Sequence, residues 1–177
     1  MTSRVQGFVL GTVKDLEDPE AIGRIKVAYQ GRPGEPLSNW AFMVRPMAST
    51  EVGMWFMPEL EDQVVVGFLN GNIEQPYVMG SIFTKEKAPP VTEPGQRVIR
   101  SVQGHEIILD DTDAAENVII RDASDNEIKM TQDGIEITSA GKITIQGTEI
   151  AINGDSSVDI ETSGQLTGKG SPIHLNP

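Results

Sequence analysis

The sequence predicts an all-β protein in two parts, a small closed barrel followed by an intertwined, homotrimeric, triple-stranded β-helix. The two Trp, two Tyr and five Phe all lie within the first 83 residues. The same stretch divides into short β-branched or aromatic runs separated by turn formers, which is typical of a small barrel. Beyond residue 127, apolar residues recur in pairs every seven or eight positions with glycine turns between them, which indicates a stacked repeat.

The composition describes an acidic chain of 177 residues without cysteine, with 26 Asp and Glu against 14 Lys and Arg and a net charge of −12. Disulfides, thiolate metal sites and a cationic nucleic-acid interface are therefore not expected. No apolar run reaches the roughly 18 residues of a membrane span, and the N-terminus lacks the pattern of a secretory signal. We expect a protein made in the cytoplasm, with no nucleic-acid partner.

The barrel is expected over residues 1–84, with strands at 8–13, 23–29, 40–44, 63–69 and 77–83. Five short strands in this length suggest a closed sheet. Asn70 and Gly71 both tolerate positive φ, so they should close a hairpin. The side chains expected to alternate into the barrel are Trp40, Phe42, Val64, Val66 and Phe68.

A linker with three prolines is expected over residues 85–100, followed by neck strands over residues 101–126. The neck contains the apolar pairs Ile107/Leu109 and Val118/Ile120. Residues 101–177 hold 14 acidic and only four basic side chains. The acidity of the protein is therefore concentrated in its C-terminal part.

Residues 127–177 are expected to form the β-helix, each unit being a short strand with two inward side chains and a glycine corner. Its predicted core is Ile128, Met130, Ile135, Ile137, Ile143, Ile145, Ile150, Ile152, Val158 and Ile160. The seven units would make little more than two coils of a single-chain helix, which is below the roughly three repeats that a stack needs. Three chains wound around one axis bury every pair and leave no strand edge open, which predicts a homotrimer ~35 Å long at ~4.8 Å per unit. A disordered acidic extension and a single-chain antiparallel sandwich are the alternatives.

The N-terminal part resembles the OB-fold of phage baseplate assembly protein V and of VgrG spike proteins. The motifs that carry the resemblance are GTVKDLEDP (11–19), GRIKV (23–27), Trp40, PMA (46–48), Gly53, FMPE (56–59), DQVVVGF (62–68), Gly71 and PYVMGSI (76–82). The segment GHEIILDD (104–111) and the Ile-rich repeats after it are similar to the neck and β-helix of such spikes.

The resemblance implies the trimeric central spike at the tip of a phage tail, a tailocin or a type VI apparatus, driven through an envelope by sheath contraction. It implies docking on a tail hub, which we expect to be a separate subunit, and transient contact with the target membrane. The spike is expected to be assembled at the baseplate of a phage tail or extracellular contractile particle. No inserted lysozyme domain is present between barrel and helix, so we expect no enzyme activity.

The C-terminal end is expected to form the apex, where the resemblance implies a docked conical tip protein of the PAAR type. Ile173, His174 and Leu175 are the predicted contact residues, because an exposed apolar end marks a binding site. Three copies of His174 would also converge there and could hold iron or zinc, although the His-x-His pattern of metal-tipped spikes is absent.

Other functions are weaker interpretations of the same residues. A trimeric receptor-binding fibre or adhesin is the main alternative, but an aromatic-rich tip is missing from the sequence. Single-stranded nucleic-acid binding would need a basic groove, and a hydrolase would need a catalytic domain. Two acidic clusters, one around His105, Glu106, Asp110, Asp111 and Asp113 and one at Glu59, Glu61 and Asp62, are interpreted as solvated turns rather than catalytic or metal sites.

Overall fold

The computed structural model describes residues 4–174, and the chain divides into two compact units at residues 1–98 and 99–177. The strands of the first unit are β1 (Val9–Asp15), β2 (Lys26–Tyr29), β3 (Phe42–Met43), β4 (Ala48–Ser49), β5 (Val52–Gly53), β6 (Gln63–Phe68) and β7 (Pro76–Ser81). Strand β8 (Gln96–Arg100) crosses the boundary, and β9 (Glu106–Asp110), β10 (Asn117–Arg121), β11 (Glu127–Thr131) and β12 (Gly134–Thr138) follow. The all-β prediction is confirmed. Residues 4–174 contain no helix with the length and apolarity of a membrane span.

The first unit is a barrel whose strands are hydrogen-bonded in the order β2-β1-β6-β7-β3. Strand β3 runs parallel to β7, and the other neighbouring strands are antiparallel. The sheet closes between β2 and the segment before β3, where Ile25 and Ala41 exchange backbone hydrogen bonds of 3.1 and 2.8 Å. Closure leaves no long open edge in the barrel, as the sequence predicts.

The barrel is filled by small aliphatic side chains that are completely buried: Val13, Ile25, Val27, Ala41, Val64, Val66 and Val78. The predicted hairpin is confirmed, because β6 and β7 pair through a 3-10 turn at Leu69–Gly71. Asn70 and Gly71 adopt φ values of 51° and 75° in that turn. Val64 and Val66 point inward as expected, and Phe68 packs against the core.

The predicted inward orientation of Trp40 and Phe42 is wrong by one residue. Ala41 is fully buried instead, while Phe42 is 46 % exposed. Phe42 stacks on the Tyr77 ring at 5.7 Å, and Trp40 lies 4.6 Å from the Lys26 ammonium. Because side chains alternate along a strand, a shift of one position moves every side chain to the other face. The narrow barrel accepts the alanine, and the large rings lie outside it.

The strands of the second unit form one antiparallel sheet in the sequential order β8-β9-β10-β11-β12. Strand β8 occupies the last five residues of the segment expected to be a linker. The first two repeat units are strands β11 and β12, which pair with each other inside one chain, because the chain reverses between Thr131 and Gly134. They therefore continue the sheet of the neck rather than starting a separate helix at residue 127. No strand or helix occurs over residues 139–174.

Asp18 organises the loop between β1 and β2, and its side chain is only 3 % exposed. Its carboxylate accepts hydrogen bonds from the backbone N–H groups of Glu20, Ile22 and Arg24, all at 3.1 Å. The Arg24 guanidinium donates to the same carboxylate at 2.7 and 3.1 Å. The guanidinium, helped by the backbone donors, holds the pKa of the Asp18 carboxyl well below its ordinary value.

We expect Asp18→Asn to lower the melting temperature of the barrel by several degrees at pH 7, because the loop loses its charged acceptor. A depressed pKa stabilises the fold fully above the unfolded value of about 4 and loses its effect as the pH falls through the folded value. Thermal unfolding followed by circular dichroism should therefore show a gap between the two proteins that is constant above about pH 5 and narrows below pH 4.

The matched control is Asp15→Asn, because the Asp15 carboxylate accepts a single short-range hydrogen bond, from the Glu17 backbone N–H at 2.9 Å. This variant should differ little from the parent at either pH. A gap for Asp18→Asn that is as large at pH 3 as at pH 7 would contradict the proposed role of the charge.

Candidate functional site

Across strands β9 to β12, one face of the C-terminal sheet is formed by seven aliphatic side chains and one methionine. In an antiparallel sheet, directly paired residues point to the same side. The strand register links such residues into two rows across the sheet, Ile107–Ile120–Ile128–Ile137 and Leu109–Val118–Met130–Ile135. We call these eight residues the apolar face. Four of them come from the predicted repeat core, and four come from the neck.

The opposite face of the same sheet is mostly charged or polar. Ile108, which is 9 % exposed, and Ile119 are its apolar residues. Its other members are Glu106, Asp110, Asn117, Arg121, Glu127, Lys129, Thr131, Glu136 and Thr138. Antiparallel sheets with one polar and one apolar face commonly expose the polar face to water and pack the apolar face against other apolar residues.

In the single chain the apolar face is open to solvent. Seven of its eight side chains are at least 36 % exposed, and Ile135 reaches 70 %. At one end of the face, Ile120 and Ile128 line an open concavity of about 610 Å³ together with Ile99 and Ile143. A continuous exposed apolar area of this kind marks an interaction site.

Charged groups at the edge of the polar face fix the geometry of the first strands. The Glu106 carboxylate, only 6 % exposed, receives the Arg121 guanidinium at 2.5 and 2.6 Å. Arg100, at the end of β8, approaches its other oxygen at 3.3 Å. These contacts tie β8, β9 and β10 together, so the apolar face is presented on a defined sheet rather than on loose strands.

The later predicted core residues are not brought together by the single chain. Ile143, Ile145, Ile150, Ile152, Val158 and Ile160 lie on the segment without strands and are 50–71 % exposed. Their alternation continues that of the sheet, with turn glycines between the pairs. The exposed apolar side chains therefore continue from the sheet into residues 143–160.

The apex residues are described in part. Ile173 is 54 % exposed and His174 is exposed, whereas Leu175 lies outside the described residues. Within residues 4–174 of one chain, no three His, Asp or Glu side chains gather as metal ligands would. Within the same residues, a single chain supplies one imidazole at this end, that of His174.

The acidic clusters weighed as chemical sites are engaged in structural contacts. Glu61 pairs with Lys14 at 2.7 Å, and Asp62 pairs with Lys87 at 2.5 Å. The Asp110 carboxylate accepts the Thr112 N–H at 3.0 Å, and the His105 imidazole Nδ1 accepts the Ala123 N–H at 3.4 Å. These side chains hold turns and strand ends.

Comparison with known proteins gives two matches to domain families, one for each half of the chain. Residues 9–83 match the type VI secretion system/phage-baseplate injector OB domain. Residues 96–167 match the phage baseplate V C-terminal trimerisation domain. The second match contains the whole apolar face and the predicted core pairs up to Ile160. The exposed apolar face therefore lies within the residues that match a trimerisation domain.

Three curated relatives, all VgrG proteins, are similar to this chain at low sequence identity. The type VI secretion system spike protein VgrG2a of Pseudomonas aeruginosa is 26 % identical over 104 residues, 52 % of this chain and 12 % of that protein. The spike protein VgrG3 of Vibrio cholerae is 24 % identical over 150 residues, 76 % of this chain and 15 % of that protein. The V. cholerae actin cross-linking toxin VgrG1 is 28 % identical over 99 residues, 51 % of this chain and 9 % of the toxin.

The chain therefore spans at most 15 % of the length of these relatives. The two domain matches nevertheless follow each other in order and together cover most of the sequence. Together the two domain matches and these relatives support a VgrG-type baseplate or spike protein.

Proposed function

We propose that three copies of this chain form the central spike of a contractile injection system, a needle that docks on a tail hub and pierces the target envelope when the sheath contracts. The observation that carries the proposal is the apolar face, which the chain exposes and does not cover with its own described residues. Its position inside the matched trimerisation domain supports two further copies as its cover.

In this trimer each apolar face packs against the faces of the other two copies around a three-fold axis. Burial of aliphatic surface is the driving force, at about 25 cal/mol per Å² removed from water. The acidic polar faces then point outward, which keeps the assembly soluble despite its large apolar interior. A closed symmetry lets each copy use the same face and leaves none exposed.

The tail after Thr138 is proposed to continue the trimer as a triple-stranded β-helix. Its backbone groups find no strand partner within the described part of one chain, so adjacent copies would supply the hydrogen bonds. The five repeat units from Ile143 onward would advance the needle by ~24 Å at one strand spacing each. Such a braid spreads an axial load over bonds between chains, which suits a piercing element that works mechanically rather than as an enzyme.

The two ends of the needle are proposed to meet different proteins. The tail hub would bind at the barrel end, and a conical PAAR-type tip protein would cap Ile173, His174 and Leu175. Three copies of His174 would offer three imidazole nitrogens to an apical iron or zinc ion, which is half of an octahedral set. The particle would be assembled at a baseplate, whether of a phage tail, a tailocin or a type VI apparatus, from chains made in the cytoplasm.

The apolar face is tested by comparing neighbouring residues that point to opposite sides of β11. Ile128→Glu should abolish the trimer, weakening assembly by at least about 100-fold, because each interface would bury an unpaired carboxylate. Lys129→Glu changes the adjacent side chain on the polar face and should leave the trimer intact. Sedimentation equilibrium of the full chain at micromolar concentration gives the number of copies in each case.

Equal behaviour of the two variants would contradict the assignment of the face, and a monomeric parent chain would contradict the spike itself. A trimer whose length and stability survive Ile128→Glu would instead point to assembly through another surface. Circular dichroism shows whether each variant keeps its barrel, since the barrel folds around a separate core.

The apex is tested by removing residues 172–177. We expect this truncation to leave the trimer intact but to abolish capture of a purified PAAR-type tip protein, because the apolar end that it would cover is gone. His174→Ala separates the two apex proposals, because it removes a metal ligand but keeps Ile173. Metal analysis of the purified trimer and pull-down of the tip protein are the measurements, and unchanged capture by the truncated chain would refute the docking site.

A further inference from the structure

A short hairpin of the barrel is exposed along its whole length. Residues 46–56 are all exposed, and β4 and β5 within them pair over only two residues each. Its apolar side chains include Val52 at 55 %, Trp55 at 64 % and Phe56 at 58 % exposure. Glu51 at the turn is its single charged residue. We call residues 46–56 the arm. A two-stranded hairpin this small is marginal in water, so it is expected to need a surface to pack on.

The base of the arm is held in place by the barrel itself. The Arg45 guanidinium donates to the Phe56 carbonyl oxygen at 3.0 Å and lies 4.5 Å from the centre of the Trp55 ring. The Trp55 ring also lies on Gly23, where a Cβ atom would come within 2.5 Å of it. The arm is thus oriented before it meets any partner, which lowers the entropy cost of binding.

The same barrel exposes an apolar patch on the outer side of β1, β6 and β7. Because Val9, Val66 and Val78 lie against or within the core, their neighbours along the strands point outward. The outward residues are Phe8, Leu10, Val65 and Met79, which we call the patch. Phe8 is 68 % exposed, and its ring passes over Gly67, 3.2 Å from where a Cβ would be. Glycine therefore allows the ring to lie flat on the sheet.

The arm does not cover the patch of its own barrel, since the arm and the patch residues Phe8, Leu10 and Met79 are exposed in the single chain. A trimer brings other copies of the patch within reach. Only 14 residues separate the end of β7 at Ser81 from the start of β8 at Gln96, a tether of at most about 50 Å when extended. Strand β8 opens the matched trimerisation domain. Three barrels held this close to one axis meet at an effective concentration in the millimolar range.

We infer that in the trimer the arm of each barrel packs on the patch of the neighbouring barrel. This contact is heterologous, and three-fold symmetry closes it into a ring in which every arm and every patch is used once. The inference rests on the proposed trimer and extends its interface from the C-terminal domain to the barrels. The occupant of the patch is a second copy of this chain, and apolar side chains supply both sides of the contact.

The test places the photo-crosslinking residue p-benzoylphenylalanine at Val52 in the otherwise unchanged full chain. Irradiation of the purified protein should give dimeric and trimeric bands on a denaturing gel. Mass spectrometry should locate the new bond in peptides that contain Phe8 to Leu10 or Met79 of another copy. Adding Met79→Glu should reduce the yield at least about fivefold, because it buries a charge in the contact.

The matched control carries the photo-crosslinking residue at Glu35, in another exposed loop of the barrel, and should give no dimeric band. Sedimentation equilibrium on the same samples distinguishes failure of the arm contact from failure of the proposed trimer. A trimer that forms bonds from position 52 only within one chain, or forms none, overturns the arm contact and leaves the proposed spike standing. A monomeric chain overturns both.

Discussion

The apolar face of the C-terminal sheet is not covered by any other part of the described chain. The proposed assembly of identical copies follows from that constraint. Two rows of aliphatic side chains cross four strands and stay largely exposed. The opposite face of the sheet carries mostly charged and polar side chains and provides no comparable apolar surface. The fold of one copy is therefore incomplete in a way that identical copies can complete, each offering the same surface to the others.

The barrel, in contrast, buries its aliphatic side chains within a single chain. Its sheet closes on itself through the Ile25–Ala41 bridge, so its aliphatic residues face one another inside a single chain. Asp18 fixes the β1–β2 loop with a charge that the Arg24 guanidinium holds ionised. The barrel thus completes its core within one chain, whereas the second unit carries the match to a trimerisation domain. The arm and the patch are the places where the barrels themselves can meet.

The sequence carried enough information to predict the strands, because hydrophobic alternation and turn glycines are local signals. It therefore located the Asn70-Gly71 hairpin and the apolar pairs at Ile128/Met130 and Ile135/Ile137. It did not identify which side of the strand at Trp40–Phe42 faces inward, because packing against the narrow core decides in favour of Ala41. Nor did it show that β11 and β12 join the neck strands in one sheet, since pairing depends on contacts distant in sequence. The pairs Ile107/Leu109 and Val118/Ile120, which have the same spacing, are the local signal that extends the apolar face into the neck.

Amide hydrogen exchange over residues 139–167 tests the central claim most directly. These residues form no strand within one chain, so their backbone N–H groups have no regular partner unless other copies provide it. The braided trimer predicts strong protection of alternating amides around Ile143, Ile150 and Val158, lasting far longer than that of an open chain. Exchange at the rate of an unstructured peptide throughout this segment, in the intact protein at micromolar concentration, would contradict the account.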